Sequence, residues 1–337
     1  MMRMLEETLE RSVEAPPARP LRVVAAGGGT GLPRVLAGLA GGVDEDGGRV
    51  AVTALVTTAD DGGSSGELRR RYGVPATGDV RRCLVALAGG LSPLAALFQH
   101  RFEGAGALAG HTVGNVVLTA LAQRHGDFAS AVEAAAAMLG ARGRVVPAAD
   151  GPVELVASLE DGREVVGESA IAAAGGRIAG LRLARPAPAP REALQAILEA
   201  DLVVLGPGSL YSSVLASLLP DGVAQALRAT AATRVLCVNL VTEPGETDGL
   251  DAAAHLRAVR RQAGDVVDVA LVHRGPQPAA HRAALEARGA RPVEVDRAAL
   301  EALGAVPVAA DLASASEPGR HDPQKLAAAL LALARAR

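Results

Sequence analysis

The residues best suited to hold an anion lie in a glycine-rich turn near the start of the chain. Residues 27–31 follow a short apolar run and precede leucines at helical spacing. Glycine allows close backbone approach, and the free N–H groups of a helix N-terminus attract phosphate. The candidate ligand-binding residues here are Gly28, Gly29, Thr30 and Gly31. The turn lacks the Gly-Lys-Ser/Thr ending of a nucleotide phosphate loop, so a structural tight turn remains the alternative.

A second turn of the same kind follows the apolar run 202–205. Its candidate anion-binding residues are Gly206, Gly208 and Ser209. Asn239 ends a further apolar run and offers an amide to a base or a sugar, with a polar surface loop as the less favoured alternative. Two anion loops at one edge of a sheet support a ligand site more strongly than either loop alone.

An acidic loop lies between these turns in the sequence. Asp60 and Asp61 are adjacent, and Ser64 and Ser65 follow them among glycines. Neighbouring carboxylates of this kind can bind a divalent cation, accept hydrogen bonds from ribose hydroxyls, or cap turns and helix starts. All four are candidate ligand-binding residues, and the two aspartates are the alternative metal ligands.

Two further helix starts carry polar side chains. Asp79 is expected to be an N-cap, with Arg81 in the first turn, where the helix dipole disfavours a cation and so hints at a bound anion. Two solvated arginines, Arg81 and Arg82, are the alternative. His111 and Asn115 open another helix. His111 is expected to contact either a ligand or only its packing neighbours.

The elements that must position these loops alternate between strands and helices. Apolar runs of about four to six residues, each followed by a loop and a helical period, predict a parallel sheet covered on both faces. We therefore predict an α/β fold, a Rossmann-like doubly wound, mostly parallel sheet, as a single domain over residues 21–337. Asp161-Gly162 indicates a hairpin, so an antiparallel β excursion is expected at about 145–185. Residues 1–20 are expected to form a flexible N-terminal extension.

The composition excludes several classes of function. The 34 basic and 37 acidic residues give a net charge of −3, and only 1% of residues are aromatic, which argues against nucleic-acid binding. No apolar stretch approaches about 20 residues, so membrane insertion is not expected and the protein is placed in the cytoplasm. Cys83 and Cys237 are expected to be buried, reduced thiols.

Several of these motifs occur in the same order in a known family. They are Gly27-Gly28-Gly29-Thr30-Gly31-Leu32, Thr58 to Gly66, Gly78-Asp79-Val80-Arg81, Gly110 to Asn115, Gly206-Pro207-Gly208-Ser209-Leu210-Tyr211 and Gly245-Glu246-Thr247. With them the chain resembles the YvcK-type gluconeogenesis factors, which are related to 2-phospho-L-lactate transferase. The resemblance implies a Rossmann-like fold and binding of UDP-N-acetylglucosamine. It also implies roles in gluconeogenic growth, cell shape and peptidoglycan synthesis, with no agreed reaction.

The same resemblance implies one more ligand-binding residue, Arg320. It begins the stretch Arg320-His321-Asp322, which is similar to an Arg-His-Asn stretch of the family, and Asp322 departs from that pattern. Arg320 would meet the diphosphate of the UDP-sugar.

Two functions from different classes follow. In the first, the chain is a UDP-sugar-binding regulatory protein without a cofactor, whose partner is an unidentified cell-wall or metabolic protein. The glycine turns would hold the pyrophosphate, and an aspartate would hold a hydroxyl. In the second, the chain is a transferase in which Asp60 or Asp61 binds Mg²⁺. We favour the binding function, because the sequence shows no activated nucleophile. A homo-oligomer is compatible with the sequence.

Overall fold

The structure, a computed structural model, describes residues 19–42, 49–89 and 92–335. Its strands are β1 Leu21–Gly27, β2 Val50–Val56, β3 Arg144–Pro147, β4 Leu155–Leu159, β5 Glu164–Val166, β6 Ile178–Leu183, β7 Leu202–Leu205, β8 Thr233–Cys237, β9 Val269–His273 and β10 Val306–Ala310. The predicted flexible extension lies almost wholly outside the described residues. Of it, Arg19 is described, and its guanidinium pairs with Asp201 at 2.6 Å.

The α-helices lie between these strands and after the last one. They are α1 Leu32–Leu39, α2 Gly63–Tyr72, α3 Gly78–Leu87, α4 Pro93–Gln99, α5 Val113–His125, α6 Phe128–Leu139, α7 Glu168–Ala173, α8 Arg191–Leu198, α9 Val223–Ala229, α10 Ala252–Ala263, α11 Arg282–Glu286, α12 Arg297–Ala302 and α13 Pro323–Arg335. A π-helical segment, Leu210–Val214, follows β7. No helix within the described ranges is long and apolar enough to cross a membrane.

Seven of the described strands form one parallel sheet in the order β10-β9-β8-β7-β1-β2-β3. The chain runs outward from β1 through β2 to β3, then returns beside β1 with β7 and continues outward to β10. The strand order therefore reverses between β1 and β7, and ligands of open α/β sheets bind at such a point. The predicted α/β fold with a doubly wound parallel sheet is confirmed.

Alternate residues of each buried strand serve opposite faces of the sheet. In β1, Val23 and Ala25 join a core with α1, α3 and α13, whereas Val24 and Ala26 join a core with α8, α9 and α10. Strands covered on both faces are apolar at every position, which explains the continuous runs in the sequence. The two cores fix the sheet between two helical layers.

The predicted antiparallel excursion is a separate sheet of β5, β4 and β6. Asp161-Gly162 connects β4 to β5 as the hairpin signal predicts. The excursion begins later than expected, because Val145 and Val146 lie in β3 and pair with β2 of the parallel sheet. A short apolar run does not distinguish the last parallel strand from the first antiparallel one.

Candidate functional site

The two glycine turns meet where the strand order reverses. A Cβ atom built on Gly31 would lie 2.2 Å from the carbonyl oxygen of Pro207, and one built on Gly208 would lie 3.3 Å from the carbonyl oxygen of Gly28. Gly31 is therefore required by the contact between the two loops, because any side chain there would overlap backbone. Both loops face the same edge of the sheet.

The first turn is held by Asp79. Gly29 has a left-handed φ of +61°, and its N–H donates to Asp79 Oδ2 at 2.8 Å. Asp79 also pairs with Arg82. The prediction that Asp79 caps α3 is wrong: Thr77 occupies the N-cap position, without a side-chain cap, and Asp79 lies in the first turn. Its carboxylate instead accepts a hydrogen bond from the Gly29 N–H, a group that the sequence predicts to face a ligand.

The second turn is held in a similar way by two side chains. The Gly208 N–H donates to Asn239 Oδ1 at 3.1 Å, and Asn239 Nδ2 donates back to the Gly208 carbonyl at 2.8 Å. The N–H groups of Tyr211 and Ser212 donate to Glu246 Oε1 at 2.7 and 2.8 Å. Burial and the neighbouring Glu243 raise the pKa of Glu246 to about 8. Donors expected to meet a phosphate therefore already bind a carboxyl group.

The acidic loop follows β2 of the parallel sheet and is hydrogen-bonded to α7, which lies between β5 and β6 of the antiparallel excursion. Asp60 Oδ1 accepts the Gly62 N–H at 2.9 Å, and Asp61 Oδ1 accepts the Ser169 N–H in the first turn of α7, also at 2.9 Å. Burial raises the pKa of Asp60 despite the bond from Gly62. Burial, with the charges of Asp60, Asp61 and Asp79, raises the pKa of Glu168 to about 7.

Four carboxyl groups lie near this loop, and their mutual repulsion adds to burial in raising the pKa of Glu168. Even so, residues 19–42, 49–89 and 92–335 contain no group of three or more His, Cys, Asp or Glu side chains arranged to hold a metal ion. Asp60 is bonded to Gly62 and to the Ser65 side chain, and Asp61 to Ser169. They supply the hard oxygen ligands that Mg²⁺ prefers, but not a complete set.

Four predicted residues form a buried network instead of lining the junction of the two turns. Ser64 Oγ lies 3.0 Å from His111 Nδ1 and accepts from Asn115 Nδ2 at 3.1 Å. Arg81 Nε donates to Asn115 Oδ1 at 3.0 Å, and Arg81 also binds Gln99. Burial, reinforced by Arg82 and Arg101, lowers the pKa of Arg81 to about 10.

This network supports the packing alternative for His111, whose other ring nitrogen lies 3.4 Å from Glu67. It also gives Arg81 neutral partners in place of the expected anion. Ser65 is buried as well, close to Gly78: a Cβ atom built on that glycine would lie 2.5 Å from Ser65 Oγ. Ser65 thus packs against the start of α3.

The segment before α13 contacts the first glycine turn through Arg320. Arg320 Nη1 donates to Thr30 Oγ1 at 2.6 Å, joining residues 290 positions apart. Among the described residues the rest of this guanidinium has no hydrogen-bond partner. A cleft of about 140 Å³ lies beside it, and its lining includes Gly31, Arg34, Gly208, Asn239, Arg288 and Arg320.

Two of these arginines are already partly engaged. Arg34 binds Glu317 at 2.6 Å and the His321 carbonyl at 3.0 Å, and Arg288 Nη2 donates to the Pro318 carbonyl at 3.0 Å. These bonds fold the segment before α13 over the glycine turns. Guanidinium groups are the side chains best matched to phosphate oxygens, so the cleft has the chemistry of an anion site.

A model of the family 2-phospho-L-lactate transferase CofD matches residues 23–313. The chain belongs to this family of Rossmann-like proteins, and the similar proteins within it are gluconeogenesis factors. It is 44% identical to the gluconeogenesis factor of Halalkalibacterium halodurans over 81% of this chain and 84% of that protein. It is 41% identical to that of Bacillus subtilis over 82% and 86% of the two chains.

A solved structure agrees with the observed fold. A crystal structure from Bacillus halodurans, described as a member of the upf0052 family, superimposes with a TM-score of 0.88 and 41% identity. The match covers 93% of this chain and 99% of that one. The resemblance noted from the motifs is therefore confirmed at the level of family and fold.

The sequence reasoning missed Glu246, Glu168 and the pair Arg34 and Arg288. Glu246 lies within the Gly245-Glu246-Thr247 motif, which could have directed attention to it. Arg34 and Arg288 carry no local signal, because only the fold brings residues of α1 and of the segment after α11 to the same cleft.

Proposed function

We propose that the chain binds a UDP-sugar, UDP-N-acetylglucosamine, at the junction of the two glycine turns and acts as a regulatory protein. The observation that carries this proposal is the bond from Arg320 to Thr30. It holds a guanidinium with free donors over the first glycine turn, beside a cleft with two more arginines. A nucleoside diphosphate carries the phosphate oxygens that such a site recognises.

The contacts also redistribute the expected roles. Gly29, Gly208, Tyr211 and Ser212 already donate their N–H groups to protein side chains. The charge of the diphosphate is therefore met mainly by Arg320 and its cleft, and the glycines provide close approach and shape. Thr30, Gly31 and Ser209 remain the turn residues proposed to face the ligand.

The regulatory part of the proposal is linked to ligand binding. A ligand that joins Arg320 to the glycine turns favours one arrangement of the segment before α13, and a ligand can shift an equilibrium only through such differential contacts. A cell-wall or metabolic protein in the cytoplasm would read that arrangement. The name gluconeogenesis factor carried by the relatives supports a role in growth on gluconeogenic carbon sources. The proposed role in peptidoglycan synthesis and cell shape rests on UDP-N-acetylglucosamine as the ligand.

A second candidate, a Mg²⁺-dependent transferase, is favoured by the acidic loop. Burial raises the pKa of Asp60 and of Glu168, and neighbouring carboxylates add to both shifts; a divalent cation would offset that negative charge. The family model matched by the chain is itself named for a transferase. Binding without catalysis remains our first choice because the carboxylates do not form a complete metal site among the described residues.

The test is isothermal titration with UDP-N-acetylglucosamine, with and without Mg²⁺. We expect saturable binding that Mg²⁺ leaves unchanged and that Arg320→Ala weakens about tenfold or more, as loss of a charged hydrogen bond predicts. Arg182→Ala is the matched control, because Arg182 pairs with Glu164 in the antiparallel sheet, at 3.1 Å. Binding that requires Mg²⁺, followed by product formation with a phosphorylated acceptor, would instead establish the transferase.

A further inference from the structure

A second and larger cavity lies outside the junction of the glycine turns. It has a volume of about 910 Å³ and lies between the start of β6, helix α10 and the loop after β8. Its lining includes Glu160, Arg177, Tyr211, Asp248, Arg257 and Arg261. The volume falls in the range of small-molecule sites, which is roughly 300–1,000 Å³.

Two arginines from different elements line this cavity. Arg177 precedes β6, and Arg261 lies in the last turn of α10. Burial raises the pKa of Tyr211, which also lines the cavity; the charges of Arg261 and Arg177 lower that pKa, and the charges of Glu246 and Glu160 raise it. Neither guanidinium has a hydrogen-bond or ion-pair partner among the described residues. By contrast, Arg260 is paired with Asp265 at 2.7 Å.

A simpler explanation covers only part of this arrangement. Arginines in the last turn of a helix are favoured by the helix dipole, which accounts for Arg260 and Arg261 on α10. It does not account for Arg177, which lies in the connection to a strand. Both guanidinium groups line one cavity, and their donors are free to bind an anion there.

We propose that this cavity binds a phosphorylated sugar. The phosphate would lie between Arg177 and Arg261, since guanidinium groups bind phosphate oxygens in a bidentate way. The carboxylates of Glu160 and Asp248 line the same cavity and would accept hydrogen bonds from sugar hydroxyls. Leu250 and Leu303 provide apolar surface for the ring.

This site is separate from the one proposed for the UDP-sugar, and the inference does not depend on that function. Arg320 and Thr30 do not line the second cavity. The nearest link is Glu246, which lines the second cavity and also accepts the N–H groups of Tyr211 and Ser212 after the second glycine turn.

The test is isothermal titration of the full chain with glucose 6-phosphate as the probe. We expect saturable binding that Arg177→Ala and Arg261→Ala each weaken about tenfold or more, the effect of one charged hydrogen bond. Arg182→Ala, in the strand that follows Arg177, should bind as the wild type does, because Arg182 pairs with Glu164 and does not line the cavity. Glucose should not bind, and inorganic phosphate should bind more weakly than the sugar phosphate.

Arg320→Ala separates this inference from the proposed function, because that variant should lose UDP-sugar binding and keep glucose 6-phosphate binding. The proposal is overturned if glucose 6-phosphate does not bind saturably, if both cavity variants bind it unchanged, or if inorganic phosphate binds equally well. Thermal unfolding of each variant should match the wild type, since Arg177 and Arg261 are exposed and their guanidinium groups make no hydrogen bond or ion pair among the described residues.

Discussion

The two glycine turns look alike in sequence, but they differ in how many of their N–H groups the fold leaves free to bind a ligand. In the first, Asp79 takes one N–H, while Thr30 stays exposed and holds Arg320. In the second, Asn239 and Glu246 together take three N–H groups. A glycine turn before a helix therefore shows where an anion could bind, but the side chains around it decide whether its donors are free.

The largest expected effect concerns the contact that brings the turns together. Gly31→Ala places a Cβ atom against the Pro207 carbonyl, where neither backbone can move freely. We expect a loss of about 3 kcal/mol in the free energy of unfolding, the upper range for overpacking. Urea denaturation measures it, with Gly106→Ala as control because a Cβ atom there meets open space. Equal stability of the two variants would contradict the close contact.

A second prediction uses pH to test whether Glu246, which binds N–H groups of the second turn, is protonated in the folded protein. Glu246 has a pKa of about 8 when folded, against an ordinary value of 4.5. Between these values the folded protein keeps a proton that the unfolded chain has released. The stability from this group is therefore complete below about pH 4.5 and is lost as the pH rises through about 8.

Glu246→Gln removes this titration while keeping one oxygen acceptor. From about pH 6 to about pH 8 we expect the variant to lose less stability than the wild type, by of order 1 kcal/mol. Urea denaturation at both pH values measures the difference. Glu164→Gln serves as control, since Glu164 is exposed and paired with Arg182. Parallel pH profiles for the wild type and Glu246→Gln would show that Glu246 is ionised throughout.

The smallest expected effect compares the hydroxyl groups of the two turns. Thr30→Val removes the acceptor of Arg320, and Ser209→Ala removes a hydroxyl group that makes no side-chain hydrogen bond among the described residues. We expect Thr30→Val to cost about 0.5 kcal/mol of stability, as an exposed bond predicts, and to weaken UDP-sugar binding severalfold. Isothermal titration measures the binding. If Ser209→Ala weakened UDP-sugar binding more than Thr30→Val does, the second turn and not the first would be the main contact of the ligand.

The sequence was informative wherever local patterns determine structure. Continuous apolar runs predicted the parallel strands, and Asp161-Gly162 predicted the hairpin. Periodicity could not place Val145, because a short buried run fits either sheet. The boundary of the excursion had to come from strand pairing.

The partners of the site residues were harder to predict. Asp79 was expected to cap its own helix, yet it binds Gly29, 50 positions earlier. His111, Asn115 and Ser64 were each a plausible ligand contact by residue type, and the fold joins them to one another instead. Residue type defines which bonds a side chain can form, whereas tertiary packing selects the partner.

The carboxyl group of Glu246 has one further consequence for what the second turn can bind. Because it is tethered beside the N–H groups of Tyr211 and Ser212, it competes for them at an effective concentration on the order of millimolar or above. A free monovalent anion at lower concentration cannot displace it. The turn thus excludes weak anions by internal competition, with no moving lid, and admits only a ligand whose other contacts compensate for displacing Glu246.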